Sequence, residues 1–215
     1  MAAAVSSGAR RLTKIMRVIA GTYRSRILKS LKGLALRPTS DRLRETLFNV
    51  LSPNVSGARF LDLFAGTGAI GIEALSRGAK EVVFIENHAP AAKLIRQNLE
   101  SLEIRSGFTV FPLDALRGLA MLASRKRPSE PGFDSIFLDP PYAAAEEYAR
   151  VLEFLGSTEL LAPGGMVIAE HRRSFNLREE AGALTRFRVL RQGDAALSFY
   201  RRRSGKPGGE KSSAE

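Results

Sequence analysis

The sequence contains no cysteine and only two histidines, His88 and His171. Disulfides, thiolate metal sites and cysteine nucleophiles are thereby excluded, and no metal centre is expected. No apolar run reaches the ~18 residues that a membrane-spanning helix needs. Nothing near the N-terminus resembles the apolar core of a secretory signal, so a cytoplasmic protein is the expectation. Acids are scarce in one region only. Residues 1–59 hold 12 Lys/Arg against Asp41 and Glu45, whereas residues 60–215 hold 21 Lys/Arg against 20 acids. The net charge of +11 therefore resides almost wholly in an N-terminal arm ahead of a near-neutral domain. Such asymmetry points to a polyanionic partner, and nucleic acid is the usual one. Any chemistry has to come from carboxylates, backbone groups and a borrowed cofactor.

A chain of 215 residues is long enough for one domain with a small appendage. Residues 1–16 read as a flexible basic N-terminus. Residues 17–36 alternate β-branched or aromatic residues with basic ones, and Gly21 and the Lys32–Gly33 pair supply turns, which predicts a small basic β-hairpin. Residues 37–51, "RPTSDRLRETLFNVL", predict a helix: Thr39 to Asp41 offer N-caps, and Leu43, Leu47, Phe48 and Leu51 share one face. Residues 17–52 are thus one unit, and 53–203 the main domain. There, short apolar strands at 59–64, 81–86, 108–112, 133–139 and 164–171 alternate with helices near 69–78, 89–102, 115–124 and 145–155. An antiparallel pair closes the domain. Continuous apolar strands separated by helices predict an α/β fold with a mostly parallel sheet covered on both faces. Residues 204–215 read as a disordered tail.

The first strand runs into "LDLFAGTGAIG", in which Gly66, Gly68 and Gly71 satisfy G-x-G-x-x-G between a strand and a helix. That pattern cradles a nucleoside cofactor without saying which one. Glu86 ends the second strand, where an acid binds ribose hydroxyls. Asp62 lies inside the first strand, and a carboxylate buried there needs a positive partner. The amino group or sulfonium of S-adenosyl-L-methionine supplies one, whereas a dinucleotide's pyrophosphate would be repelled. Asp114 follows the third strand, within reach of an adenine amino group. Three acids after three successive strands favour S-adenosyl-L-methionine over a nicotinamide cofactor. A nicotinamide oxidoreductase would also need a proton-transfer residue, and neither a cysteine nor a Tyr-x-x-x-Lys pair is present.

The fourth strand ends in Asp139-Pro140-Pro141-Tyr142. An exocyclic amine on a base is a poor nucleophile because its lone pair is delocalised into the ring. The Asp139 carboxylate and the Pro140 carbonyl can accept its two N–H groups, while the prolines stiffen the loop. Tyr142 offers a ring on which a flipped base stacks, worth ~1–3 kcal/mol. Adenine-N6 and guanine-N2 acceptors suit this loop equally well, and DNA and RNA both remain open as substrates.

Taken together, Asp62-Leu-Phe-Ala-Gly-Thr-Gly, Glu86, Asp114 and Asp139-Pro-Pro-Tyr142 resemble a class I S-adenosyl-L-methionine-dependent amino-methyltransferase. "RVIAGTYRSRIL" and "LRPTSDRLRETLFNVL" ahead of "FLDLFAGTGAIGIEALSRGA" resemble, more narrowly, the RsmD family of bacterial 16S rRNA guanine-N2 methyltransferases. The likeness extends from about Arg17 to Arg201. It implies a Rossmann-like sheet of seven strands with a reversed last strand, and methylation of the 2-amino group of one guanine in the small ribosomal subunit. It also implies a catalytic set of Asp139, Pro140, Pro141 and Tyr142. The cofactor contacts would be Thr39, Asp62, Phe64, Ala65, Gly66, Gly68, Glu86, Asn87, Asp114 and Ala115. Arg17, Arg24, Arg26, Lys29, Arg37, Arg42 and Arg44 would face RNA phosphates, positioning the substrate without reading its sequence. A monomer without a membrane partner is expected. Glu170 and His171 receive no role.

Overall fold

The structure, a computed structural model, describes residues 16–30, 39–141 and 145–203. The expected basic N-terminus as far as residue 15, the Lys32–Gly33 turn, Arg37, Tyr142 and the tail from 204 lie outside the described residues. Five parallel strands form the centre: β1 (Arg59–Leu63), β2 (Glu81–Ile85), β3 (Phe108–Phe111), β4 (Phe133–Leu138) and β5 (Leu161–Arg172). β6 (Glu180–Ala181), β7 (Leu184–Gln192) and β8 (Ala195–Arg202) complete a sheet in the order β3-β2-β1-β4-β5-β8-β7-β6. The strand order reverses direction between β1 and β4, and their carboxyl ends form the crevice where open α/β sheets bind ligands.

Among the described residues the sheet has eight strands rather than the expected seven, because the two residues of β6 pair with Leu184 and Thr185. A two-residue strand has no periodicity to detect. The expected reversal of the last strand is present: β8 runs antiparallel to β5 and to β7 and lies between them. β5 also starts three residues earlier than its apolar run, at Leu161 ahead of Pro163 and Gly164, and its register against β4 shifts there.

Helices cover both faces, as the continuous apolar strands require. On one face α1 (Asp41–Leu51), α2 (Ala69–Ser76) and α3 (Ala89–Ser101) pack on Phe60, Phe84, Phe137, Ile168 and Phe199. On the other, α4 (Ala115–Arg125) and α5 (Ala145–Ser157) pack on Leu61, Val83, Ile136, Val167 and Tyr200. α1 begins at Ser40, whose hydroxyl accepts the N–H of Leu43 at 3.2 Å. It is held to the sheet by Leu43, Leu47, Phe48 and Leu51, all buried. Burying four such side chains contributes up to roughly 6–12 kcal/mol, far more than one cap, so packing rather than capping fixes this helix.

Among the described residues, the N-terminal arm is hairpin-like in outline and is closed by one antiparallel bridge, Arg17 to Ile27. Its attachment comes from long-range polar contacts. Glu73 on α2 is fully buried and accepts the backbone N–H groups of Ile19 (2.7 Å) and Ala20 (3.0 Å) as well as Arg77 Nε (2.7 Å). Arg77 in turn lies over the Phe48 ring at 4.8 Å, tying α2 to α1. The Ser76 hydroxyl accepts from Tyr23 N and donates to the Ala20 carbonyl. Gly21, at φ 83°, passes so close to α2 that a Cβ there would stand 1.8 Å from the Ser76 carbonyl oxygen. Asn98 on α3 accepts from Lys29 N at 2.8 Å and donates to the carbonyls of Lys29 and Thr67.

Glu73→Ala would leave two backbone donors and one guanidinium without their acceptor. Breaking a buried charged cluster from one side lowers stability by about 3–5 kcal/mol. For a chain of this length that corresponds to a melting temperature lower by roughly 10 °C, with earlier proteolysis of the arm. A calorimetric scan showing a loss of less than about 1 kcal/mol would remove Glu73 as the anchor.

Candidate active site

Four carboxylates project from the carboxyl ends of the strands onto the face covered by α1, α2 and α3. Their placement follows from strand alternation: Phe60 and Asp62, Phe84 and Glu86, Phe137 and Asp139, and Ile168 and Glu170 share that side. Register holds the set together, since Asp62 stands opposite Phe84 in β2 and Phe137 in β4.

Asp62 is buried, and its Oδ2 accepts the Gly71 N–H at 2.9 Å. Burial pushes its carboxyl up to about 7; the Gly71 N–H pulls the other way and the nearby Glu86 charge adds to the rise. Glu86, also buried, spans the turn: Oε2 accepts Gly66 N–H at 2.7 Å and Oε1 accepts His88 N–H at 2.8 Å. Ala65 N bonds the Ile85 carbonyl at 3.1 Å and Gly68 N the Ala65 carbonyl at 2.7 Å. The turn is therefore pinned at both ends and by both acids. It holds Phe64 at φ 61°, a left-handed conformation that an aromatic residue adopts only under surrounding constraint. Gly68 stands at φ 77° as the cap of α2. Gly71 has a separate reason to be glycine: a Cβ there would come within 2.2 Å of the Phe84 ring, so α2 lies directly on β2.

Asp139 follows β4, half-buried, with Pro140 buried and Pro141 exposed. Its carboxyl is held well above the ordinary carboxylate range, first by burial, then by the charges of Glu170 and Asp62. Glu170 on β5 is buried, and its Oε2 accepts the Thr39 hydroxyl at 2.7 Å while its backbone carbonyl accepts the Tyr148 hydroxyl at 2.5 Å. The segment that opens α1 is thus tied to β5 beside the Asp139 loop.

Thr39 reaches Glu170 through its hydroxyl. Ala65 is buried in the turn and Asn87 is exposed just after Glu86. Asp114 caps α4, its Oδ1 accepting Arg117 N at 3.0 Å and its Oδ2 meeting Arg117 Nε at 3.2 Å; Ala115 is buried behind it. Among the cations, Arg17, Arg24, Arg26, Lys29 and Arg42 are exposed. Arg26 donates to the Ser101 carbonyl at 2.9 Å, which braces the arm against the end of α3.

Arg44 is a correction. It is 1% exposed and donates to the Arg17 carbonyl at 2.9 Å and to Asp41 Oδ1 at 2.8 Å, so it ties α1 to the arm and is closed to phosphate. The arm lying over α1 buries it, which the helix's own periodicity does not show. Glu170, given no role by the sequence reading, carries the same signal as Asp62, an acid inside an apolar strand. Asn98 interrupts the apolar stripe Ala91, Leu94, Ile95 and Leu99 of α3, and that interruption was the clue to its clamp. His171 points to the other face and bonds Ser198 Oγ at 2.8 Å; burial lowers its pKa.

The family described as conserved hypothetical protein 95 matches residues 16–201. The chain is 38% identical over 188 residues to YlbH of Bacillus subtilis, a match covering 87% of this chain and all of that protein. It is 36% identical over 157 residues to ribosomal RNA small subunit methyltransferase D of Haemophilus influenzae, covering 72% of this chain and 78% of that one. The solved Escherichia coli protein yhhF superposes with a TM-score of 0.74 at 28% identity, covering 88% of this chain and 98% of the other. With a matched span that takes in the arm, the glycine turn, the Asp139 loop and the reversed strand alike, the chain belongs to the conserved hypothetical protein 95 family, the RsmD family, on a class I methyltransferase fold.

Proposed function

We propose that the protein transfers a methyl group from S-adenosyl-L-methionine to the exocyclic 2-amino group of a guanine in the 16S rRNA of the small ribosomal subunit. The observation that carries the reading is the Asp139-Pro140-Pro141 loop seated among Asp62, Glu86 and Glu170 beside a rigid glycine turn. The methyltransferase D relatives supply the RNA class.

The residues present suit a cationic nucleoside. A buried carboxylate whose pKa stands near 7 is short of positive charge, and a sulfonium or ammonium group brings it back to its ionised form. Glu86 faces the turn from the end of β2, where ribose hydroxyls lie in this fold class, and Gly66 and Gly68 hold the turn in the left-handed conformation at φ 54° and 77°. S-adenosyl-L-methionine supplies an electrophilic methyl on sulfur. Asp139 and the Pro140 carbonyl accept the two N–H groups of the base's amine, which localises the nitrogen lone pair for in-line attack. After transfer, the surplus proton on nitrogen leaves to Asp139. Holding the two reactants in line replaces a bimolecular encounter and supplies much of the acceleration. Glu170, fixed by Thr39, backs the Asp139 loop and sets the charge around it. Tyr142 supplies the stacking surface for the flipped base. Arg17, Arg24, Arg26, Lys29, Arg37 and Arg42 meet the RNA backbone.

The test with the widest reach incubates the enzyme with radiolabelled S-adenosyl-L-methionine and small subunits lacking the modification, then identifies the labelled nucleoside. N2-methylguanosine at one position is expected; N6-methyladenosine would keep the chemistry and overturn the base. Asp139→Ala is expected to lower the transfer rate at least ~100-fold, in line with the loss of a positioned acid–base group, while adenosylhomocysteine binding changes less than about threefold. Equal loss of both would make Asp139 a cofactor residue. The raised pKa of Asp139 also fixes the pH response. Its acceptor form exists only above that pKa, so kcat/KM falls as pH drops through a value well above the ordinary carboxylate range. Glu170→Gln keeps the Thr39 bond, removes the neighbouring charge and is expected to move that acid limb to lower pH. An unmoved limb would detach Glu170 from Asp139.

A further inference from the structure

The arm docks on α2 and α3, over the β1–β3 side of the sheet. On the opposite side of α1, the same sheet face continues across β8 and β7, and there it carries a different kind of surface. Phe187 is 43% exposed, one of two large hydrophobic side chains so exposed among the described residues. It sits where the β7–β8 register shifts between Arg186 and Arg188, so the chain there presents an extra residue. The Arg201 guanidinium lies 5.2 Å from the Phe187 ring centroid, and the Arg188 guanidinium 6.0 Å from that of Phe199, whose ring is 6.3 Å from Phe187. Arg188 and Arg201 are both exposed, and neither pairs with a carboxylate among the described residues. Glu180, the nearby acid on β6, is engaged by Arg203 at 3.1 Å.

An exposed phenylalanine on a twisted edge would ordinarily be a liability for association. Two arginines stacked on aromatic rings, with no carboxylate partner among the described residues, repel a second copy of the same face and attract a polyanion carrying flat rings. Single-stranded nucleic acid combines both properties: bases stack on aromatic side chains and on guanidinium planes while phosphates meet the charges. The position agrees with such use. Glu170 pairs with Leu197, and Leu197 with Leu190, so Phe199 and Arg188 lie one pleat repeat below the carboxylate row on the same face. Two strand spacings and one repeat place the patch about 12 Å from Glu170.

We infer that the open face of β7 and β8, built from Phe187, Arg188 and Arg201, is a second RNA-contacting surface that stacks an unpaired base flanking the target and holds its phosphates. This rests on the proposed RNA substrate. The substrate would then be gripped on both sides of α1, by the arm through charge and by β7–β8 through stacking and charge.

The test uses the full chain and in vitro transcribed 16S rRNA, with filter binding measured between 50 and 200 mM salt and adenosylhomocysteine-dependent melting as the check on folding. Phe187→Tyr keeps a ring and is expected to bind as the parent does. Phe187→Leu keeps an apolar side chain, loses stacking and is expected to bind at least about fivefold more weakly, the lower end for one base–aromatic stack. Arg188→Gln with Arg201→Gln is expected to reduce the salt slope by up to about two. Parental affinity and slope in Phe187→Leu and in the arginine pair would overturn the inference. So would unchanged binding to naked RNA with slower methylation of assembled subunits, since the face would then meet a ribosomal protein. Failure of the parent protein to label any RNA is a separate result and overturns the substrate reading itself.

Discussion

Two carboxylates hold one turn by its backbone. Asp62 takes the N–H of Gly71 in the first turn of α2 and Glu86 takes the N–H of Gly66, so the loop between β1 and α2 and the start of that helix are fixed from the strand below and from the strand beside it. The strained Phe64, the left-handed Gly68 and the contact of α2 on the Phe84 ring all depend on that fixation. A turn held this way is preformed, and a ligand binding there need not order it first.

The same acids make the site electrostatically demanding. Asp62, Glu86, Asp139 and Glu170 converge at one sheet edge, and three of them are buried. The fold meets the demand locally. Backbone N–H groups take part of the charge of Asp62 and Glu86, the Thr39 hydroxyl serves Glu170, and the two shifted carboxyls, Asp62 and Asp139, rise toward neutrality. The concentration of acid therefore makes the edge selective: a cation relieves it and a phosphate worsens it. This separates the site from dinucleotide-binding sites built on the same glycine spacing.

Much of this was legible in the sequence, because the features that position the site are local. A strand buried on both faces reads as an apolar run, and the glycine turn and the Asp139 loop each lie within a dozen residues. What was illegible is what distance hides. Glu73 meets Ile19 and Ala20, and Asn98 meets Lys29, across more than fifty residues, so no window shows that the arm is clamped. Arg44 looked like a surface cation because only the arm's docking buries it. Phe187 read as one apolar residue of an ordinary strand, since the register shift that exposes it belongs to the pairing with β8.

The position of β8 also constrains the order in which the molecule can be assembled. β7 has no direct pairing with β5; it joins the sheet only through β8, which follows it in the chain. Until β8 is made, the inner edge of β5 stays open and β6 and β7 have nowhere to attach, although β1 to β5 can already pair. During synthesis the half-sheet that carries the glycine turn and the Asp139 loop therefore waits, with an unpaired apolar edge, for a strand encoded some twenty residues beyond the end of β5. An open strand edge of that kind is where incompletely made chains are most prone to pair with one another.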